Sequence, residues 1–112
     1  DFLARFPKID AVWAQDDDIA IGVIQAVRQA RRQDDLFIVG GGGMKDMIKR
    51  VMDGDTLTPV DVLYPPAMIE TAMELTVLKF TSQIPVSGEY ILGSPLINQE
   101  NAAEYYFPDS PF

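Results

Sequence analysis

Asp16, Asp17 and Asp18 stand in a row where the short apolar run Ala11-Val12-Trp13-Ala14-Gln15 gives way to Ile19-Ala20-Ile21-Gly22, the start of a helix-like stretch. Carboxylates accept hydrogen bonds, and in an open parallel α/β sheet ligands bind outside the carboxyl ends of the strands. Asp17 and Asp18 are expected to cap the helix and face its positive end. Asp16, first off the strand, is the acceptor expected to meet a ligand. Two further junctions carry polar chemistry: Gly40-Gly41-Gly42-Gly43 after a second apolar run, and Tyr64-Pro65-Pro66 after a third. Gly42 and Gly43 can take positive φ and let a ligand approach main-chain N–H groups. Tyr64 supplies a hydroxyl and a flat face for C–H groups. Asp61 interrupts the third apolar run and is counted with the binding candidates.

Glycines ahead of a helix, with Lys45 as the nearby cation, invite a phosphate cradle. The P-loop needs Gly-Lys-Ser/Thr at a fixed spacing, and the dinucleotide fingerprint needs its own glycine spacing; neither pattern is present. A dinucleotide-dependent enzyme would have to bind nucleotide tightly, which calorimetry on the intact protein would reveal. A tight turn that offers amides to a ligand is the better reading. The chain has no cysteine and no histidine, which removes thiolate nucleophiles, His-based metal sites and a Ser-His-Asp triad formed within it. No metal and no cofactor are expected, and since nothing in this set pairs a nucleophile with a base, catalysis would need residues outside this chain. A net charge of −8 with nine basic residues argues against nucleic acid or an anionic membrane as partner, since either needs a cationic face. A neutral or weakly cationic ligand fits the charge better, and a carboxylate, amides and a tyrosine suit a polyhydroxylated small molecule.

The elements that must position these groups follow from periodicity. The first turns, Asp1 to Phe6, look like the end of a helix stopped by Pro7, so the chain is expected to begin inside a domain. Ile9 to Ala14 reads as a strand buried on both faces, with Trp13 in the core. Ala20, Val23, Ile24, Val27 and Ala30 fall at helical spacing. Leu36 to Val39 is a second strand; Met44, Met47, Ile48, Val51 and Met52 mark a helix that Gly54 stops. Leu57 to Leu63 is a third strand, paired in its later half because of Pro59. The next helix sets Ile69, Ala72, Met73, Thr76 and Phe80 along one face and frays at Thr81-Ser82-Gln83; the methionines are expected as core filler. Val86 to Leu92 and Pro95 to Ile97 read as short extended segments, and the aromatic close from Tyr106 to Phe112 is expected to lie flat on the protein or a neighbouring lobe.

At 112 residues the chain is sized for one domain. No run approaches the roughly 20 apolar residues of a membrane span. Three β-then-α units predict an α/β fold: a three-layer parallel sheet with helices on both faces, joined by right-handed crossovers that put all three strand tips on one edge. The unpaired sheet edge makes a dimer of this fragment, or marginal stability, the expectation, and a highly stable monodisperse monomer would contradict it.

The first stretch, from Ala11 to Gly22, resembles the "AVFAxNDxMAxG" signature of the type I periplasmic sugar-binding proteins, the ribose-binding group of ABC importers. Ile38-Val39-Gly40-Gly41-Gly42-Gly43 resembles their "VVGFDG", Tyr64-Pro65-Pro66 their third strand tip, and Pro95-Leu96-Ile97-Asn98-Gln99-Glu100-Asn101 is similar to their "PLITKEN". The resemblance covers nearly the whole chain. It implies that residues 1–112 are part of the C-terminal lobe of a two-lobed periplasmic binding protein, with 85–112 returning toward the hinge or the other lobe. It also implies a monosaccharide or polyol held between this lobe and a missing N-terminal one, and delivery to an ABC permease. The location implied is the periplasm, or the outer surface with a membrane tether. Asp16 takes the place of the family's ligand-binding asparagine or aspartate. Gly42 stands where ribose binders carry an aspartate, and Tyr64 falls near their glutamine. The effector domain of a LacI-type repressor shares the fold and is the competing resemblance; the Tyr-Pro-Pro junction and the Asn98 to Asn101 tail stand against it, and the upstream sequence decides between them, a leader peptide for transport or a helix-turn-helix for regulation.

Overall fold

The computed structural model describes residues 1–64, 66–82 and 85–111; the bend expected at Pro65, the helix end expected at Gln83 and the closing Phe112 lie outside them. Helix α1 (Phe2–Arg5) is a single turn ahead of Pro7. Then come β1 (Ala11–Trp13), α2 (Asp17–Gln29), β2 (Phe37–Gly42), α3 (Lys45–Met52), β3 (Val60–Leu63), α4 (Met68–Thr81), β4 (Leu96–Ile97) and α5 (Ala102–Tyr105). The sheet order is β1-β2-β3-β4. β1, β2 and β3 are parallel, with Val12 opposite Ile38 and Gly40 opposite Asp61. β4 runs antiparallel to β3. The α/β class and the parallel-dominant sheet are as expected, and β3 pairs only in its later half, as Pro59 requires; the expected helices on both faces are not seen among the described residues, where α2 and α3 pack on one face and α4 buries none of its residues.

Successive strands step in one direction across the sheet, so right-handed crossovers carry α2 and α3 over the same face. Side chains alternate along a strand, and Ile38 and Val12 point to that face. There Ile38 meets Ile24 and Val27 of α2, Met47 of α3, Leu36 and Leu57. A second cluster joins Ile48 and Val51 of α3 to Ile97 and Ala102, so the C-terminal segment packs on α3. Arg32 ties the front of the chain to the end of α2: its guanidinium donates to the carbonyls of Leu3, Phe6 and Pro7, each at 2.9 Å, and to Asp35 at 2.8 Å.

The structure corrects further expectations. Trp13 is 73% exposed. With Val12 turned to the helices, alternation sends Trp13 to the opposite face of an edge strand, beside exposed Phe37, where no described element covers it. Helix α4 forms over the expected residues but buries none of them; Ile69, Met73 and Phe80 are all exposed. Leu75, Val77 and Leu78 spread its apolar surface around the axis, so no single stripe faces the sheet. Met73 is therefore not core filler, whereas Met47 is fully buried. Val86 to Leu92, expected to be extended, belongs to no strand of the sheet.

Candidate functional site

Helix α2 starts at Asp16, whose backbone is extended (φ −150°, ψ 154°) and whose Oδ1 accepts from the Asp18 N–H at 3.0 Å. Asp16 thus takes the capping role expected of Asp17 and Asp18. Asp18 is exposed on the first turn. Asp17 turns inward and is only 1% exposed. Its Oδ1 accepts from Gly41 N at 2.9 Å, and its Oδ2 from Gly43 N at 3.0 Å and Met44 N at 2.7 Å. The helical spacing 17, 20, 24, 27 places Asp17 on the same stripe as buried Ala20, Ile24 and Val27. That spacing is the signal in the sequence that separates Asp17 from its two neighbours.

The glycines divide into two pairs with different jobs. Gly40, Gly41 and Gly42 lie within β2 rather than in a loop. Only Gly42 (φ 132°) and Gly43 (φ 90°) use the left-handed region. Gly40 is needed for space: a Cβ there would lie 2.5 Å from Asp17 Oδ1 and 2.9 Å from Asp61 Oδ1. A Cβ on Gly41 would lie 2.8 Å from Tyr64 Cε1, so the tyrosine ring rests directly on this glycine. The amides of Gly41 and Gly43 are not free for a ligand as expected, because Asp17 already binds them. Of the two glycine candidates, Gly43 acts through the bend it allows, and Gly42 stays beside Tyr64: a Cβ added to it would lie 3.9 Å from Tyr64 Cζ.

Asp61 does not reach the rim. Strand alternation points it toward the helices together with Gly40, and it is fully buried. One carboxyl oxygen accepts from Val62 N at 2.9 Å; the other has no partner among the described residues. Burial, and then the negative charge of Asp17, push its pKa up to about 7. Asp61 is an interior acid behind the site, not a group that a ligand meets.

Tyr64 reaches from the end of β3 across β2 to the end of β1. Its hydroxyl donates to the Gln15 carbonyl at 2.5 Å and lies 3.2 Å from Asp16 Oδ2. Partial burial, then the hydrogen bond and charge of Asp16, raise the pKa of the phenol, so it keeps its proton. The three junctions thus share one rim, with Asp16, Gly42 and Tyr64 together on it and Asp17 and Asp61 beneath. Lys45, the cation a phosphate cradle would use, donates instead to the carbonyls of Ser110 at 2.8 Å and Pro108 at 3.3 Å and straps the C-terminal segment across the start of α3. Among the described residues no group of acids has the arrangement of a metal site.

A family described as periplasmic binding protein domain matches residues 1–79. A xylitol-binding protein of Mycolicibacterium smegmatis is 43% identical over 49 residues, 44% of this chain and 14% of that protein. The crystal structure of a galactofuranose-binding protein superposes with a TM-score of 0.70 at 28% identity, covering 88% of this chain and 33% of the other. An ABC transporter solute-binding protein from Mycobacterium smegmatis with bound glycerol gives a TM-score of 0.77 over 96% of this chain and 37% of the other; at 24% identity that likeness speaks for the fold. The chain spans about a third of the length of the solved structures it matches.

Proposed function

Since this chain belongs to the periplasmic binding protein domain family, we propose that it forms the rim of one lobe of a solute-binding protein that holds a monosaccharide or polyol against a second lobe. The complete protein then hands its ligand to an ABC permease, in the periplasm or tethered outside the cell. The similarity to a xylitol-binding and a galactofuranose-binding protein supports the ligand class. In this reading residues 1–112 are part of the C-terminal lobe, and 85–112 lead back toward the hinge. The role is binding without turnover: the rim presents oxygen acceptors, and its one cation candidate, Lys45, is engaged with the C-terminal segment.

The observation that carries the reading is the position of Asp16. One oxygen caps α2, and the other stands at the strand tip beside the Tyr64 hydroxyl, half-buried and open to a ligand O–H. A hydrogen bond to a charged carboxylate contributes about 1.5–3 kcal/mol. Asp16→Ala in the complete protein is therefore expected to weaken binding by at least about tenfold, measured by calorimetry against a panel of monosaccharides and polyols. Asp16→Ser keeps an oxygen for the cap but is too short to reach the ligand, and should lose the same affinity with less loss of stability. Unchanged affinity in both variants would remove Asp16 from the site.

A further inference from the structure

We propose that Asp61 and Asp17 share one proton beneath the rim, and that the rim holds its ligand tightly only while that proton is in place. This rests on the reading of the rim as a sugar or polyol site and adds a control of that site by pH. Asp61 is a positioning residue in it, acting through Asp17.

An ionised carboxylate offers about four lone-pair positions. Asp17 uses three of them on amides, Gly43 and Met44 at Oδ2 and Gly41 at Oδ1. The fourth belongs to Oδ1, and Oδ1 is the atom that shares the space over Gly40 with Asp61: a Cβ on Gly40 would lie 2.5 Å from Asp17 Oδ1 and 2.9 Å from Asp61 Oδ1. The two side chains are hydrogen-bonded, and a bond between two carboxyl groups needs a proton. No cation of the packed elements takes its place. Strands β2 and β4 carry no charged residue. On α3, Met47 reaches Gly40, Asp46 is exposed, and Lys45, Lys49 and Arg50 are engaged with the C-terminal carbonyls, Asp53 and Asp55. On α2, Asp18 is exposed and Arg28 lies at the far end near Asp55; Asp16 and the Tyr64 phenol stand above on the rim.

Losing the shared proton leaves two buried anions side by side. Asp17 then loosens its hold on the bend at Gly42 and Gly43, or Asp61 displaces the strand that ends in Tyr64, and either moves the rim. A ligand seated on the rim also excludes water above the pair, which favours the single charge further. Both effects have one sign: the complex holds the proton more tightly than the free protein, so binding takes up a proton and affinity falls as pH rises. Burial and the Asp17 charge raise the Asp61 pKa to about 7, which sets the onset. The chain has no histidine or cysteine to titrate in the same range.

The test uses the complete protein and the tightest binder among xylitol, D-ribose, D-fructose, D-galactose and myo-inositol. Wild-type affinity should weaken by about tenfold between about pH 6 and pH 9. Asp61→Asn keeps a donor for Asp17 at every pH, and its affinity should vary by less than about twofold over that range. A second readout needs no alkaline sample: at about pH 7.5 the wild-type binding heat should differ between phosphate and Tris, whose ionisation enthalpies differ, and the difference should vanish in Asp61→Asn. A purely structural Asp61 would shift affinity by one factor at every pH and leave the wild-type slope and buffer dependence in the variant, which overturns the proposal. A wild-type affinity that does not change with pH overturns it too. In both cases a loss of binding in Asp16→Ala leaves the sugar-site reading standing. If none of the five compounds binds the wild type, both readings fall together.

Discussion

Asp17→Ala in the complete protein is expected to lower stability by about 3–5 kcal/mol, the largest single effect at this site. The substitution strands three N–H donors, those of Gly41, Gly43 and Met44, which now meet one buried carboxylate at 2.7 to 3.0 Å. Each buried donor left without an acceptor costs about 1–3 kcal/mol; partial hydration of the bend keeps the total below a simple sum. Denaturant unfolding measures the loss. Ligand affinity should fall with it, because Gly42 is set by the bend that Asp17 fastens. Asp17→Asn is expected to lie between wild type and alanine, since an amide offers one acceptor oxygen where the carboxylate uses two. A loss under about 1 kcal/mol for Asp17→Ala would mean that the bend is held by its glycines alone.

The second large effect is a dependence of stability on pH that belongs to Asp61. Its pKa is about 7 in the fold against 3.8 for an unperturbed aspartate. Below 3.8 both folded and unfolded chains hold the proton, and the group is neutral to stability. Between the two values the folded chain keeps a proton that the unfolded chain has released, so stability falls as pH rises. Above about 7 both forms are ionised and the dependence ends. A shift of this size corresponds to about 4 kcal/mol lost across that window. Asp61→Asn, neutral at every pH and able to donate to Asp17, should match the wild type near pH 4, exceed it by a few kcal/mol at about pH 8, and remove this part of the slope. Parallel stability curves for the two proteins would show that Asp61 is not the group responsible.

Much of this arrangement was legible in the residues. Apolar runs ending in Asp16, the glycines and Tyr64 located the three strand tips, and β-then-α succession put them on one edge, where Tyr64 does meet Asp16. What escaped was direction rather than position. The three aspartates look alike in a row, and only counting from Asp17 to Ala20, Ile24 and Val27 tells which one turns inward. Alternation alone assigns Asp61 and Tyr64 to different surroundings, but the burial of Asp61 also depends on Gly40 opposite it having no side chain. Trp13 and α4 show the other limit. An apolar residue at a regular spacing reports which way it points, and whether anything lies there is decided by neighbours far along the chain.

Gly40 gives the rim an evolutionary stiffness. Two acids from separate elements are neighbours only because a hydrogen atom stands between them where every other residue type would put carbon. A side chain at that position is not tolerable while both acids remain, and replacing Asp17 first strands the three amides that it serves. Gly40 and Asp17 are therefore expected to tolerate change only together, leaving Asp16 and Tyr64 on the surface above them as the positions where substitution can alter the rim without that cost.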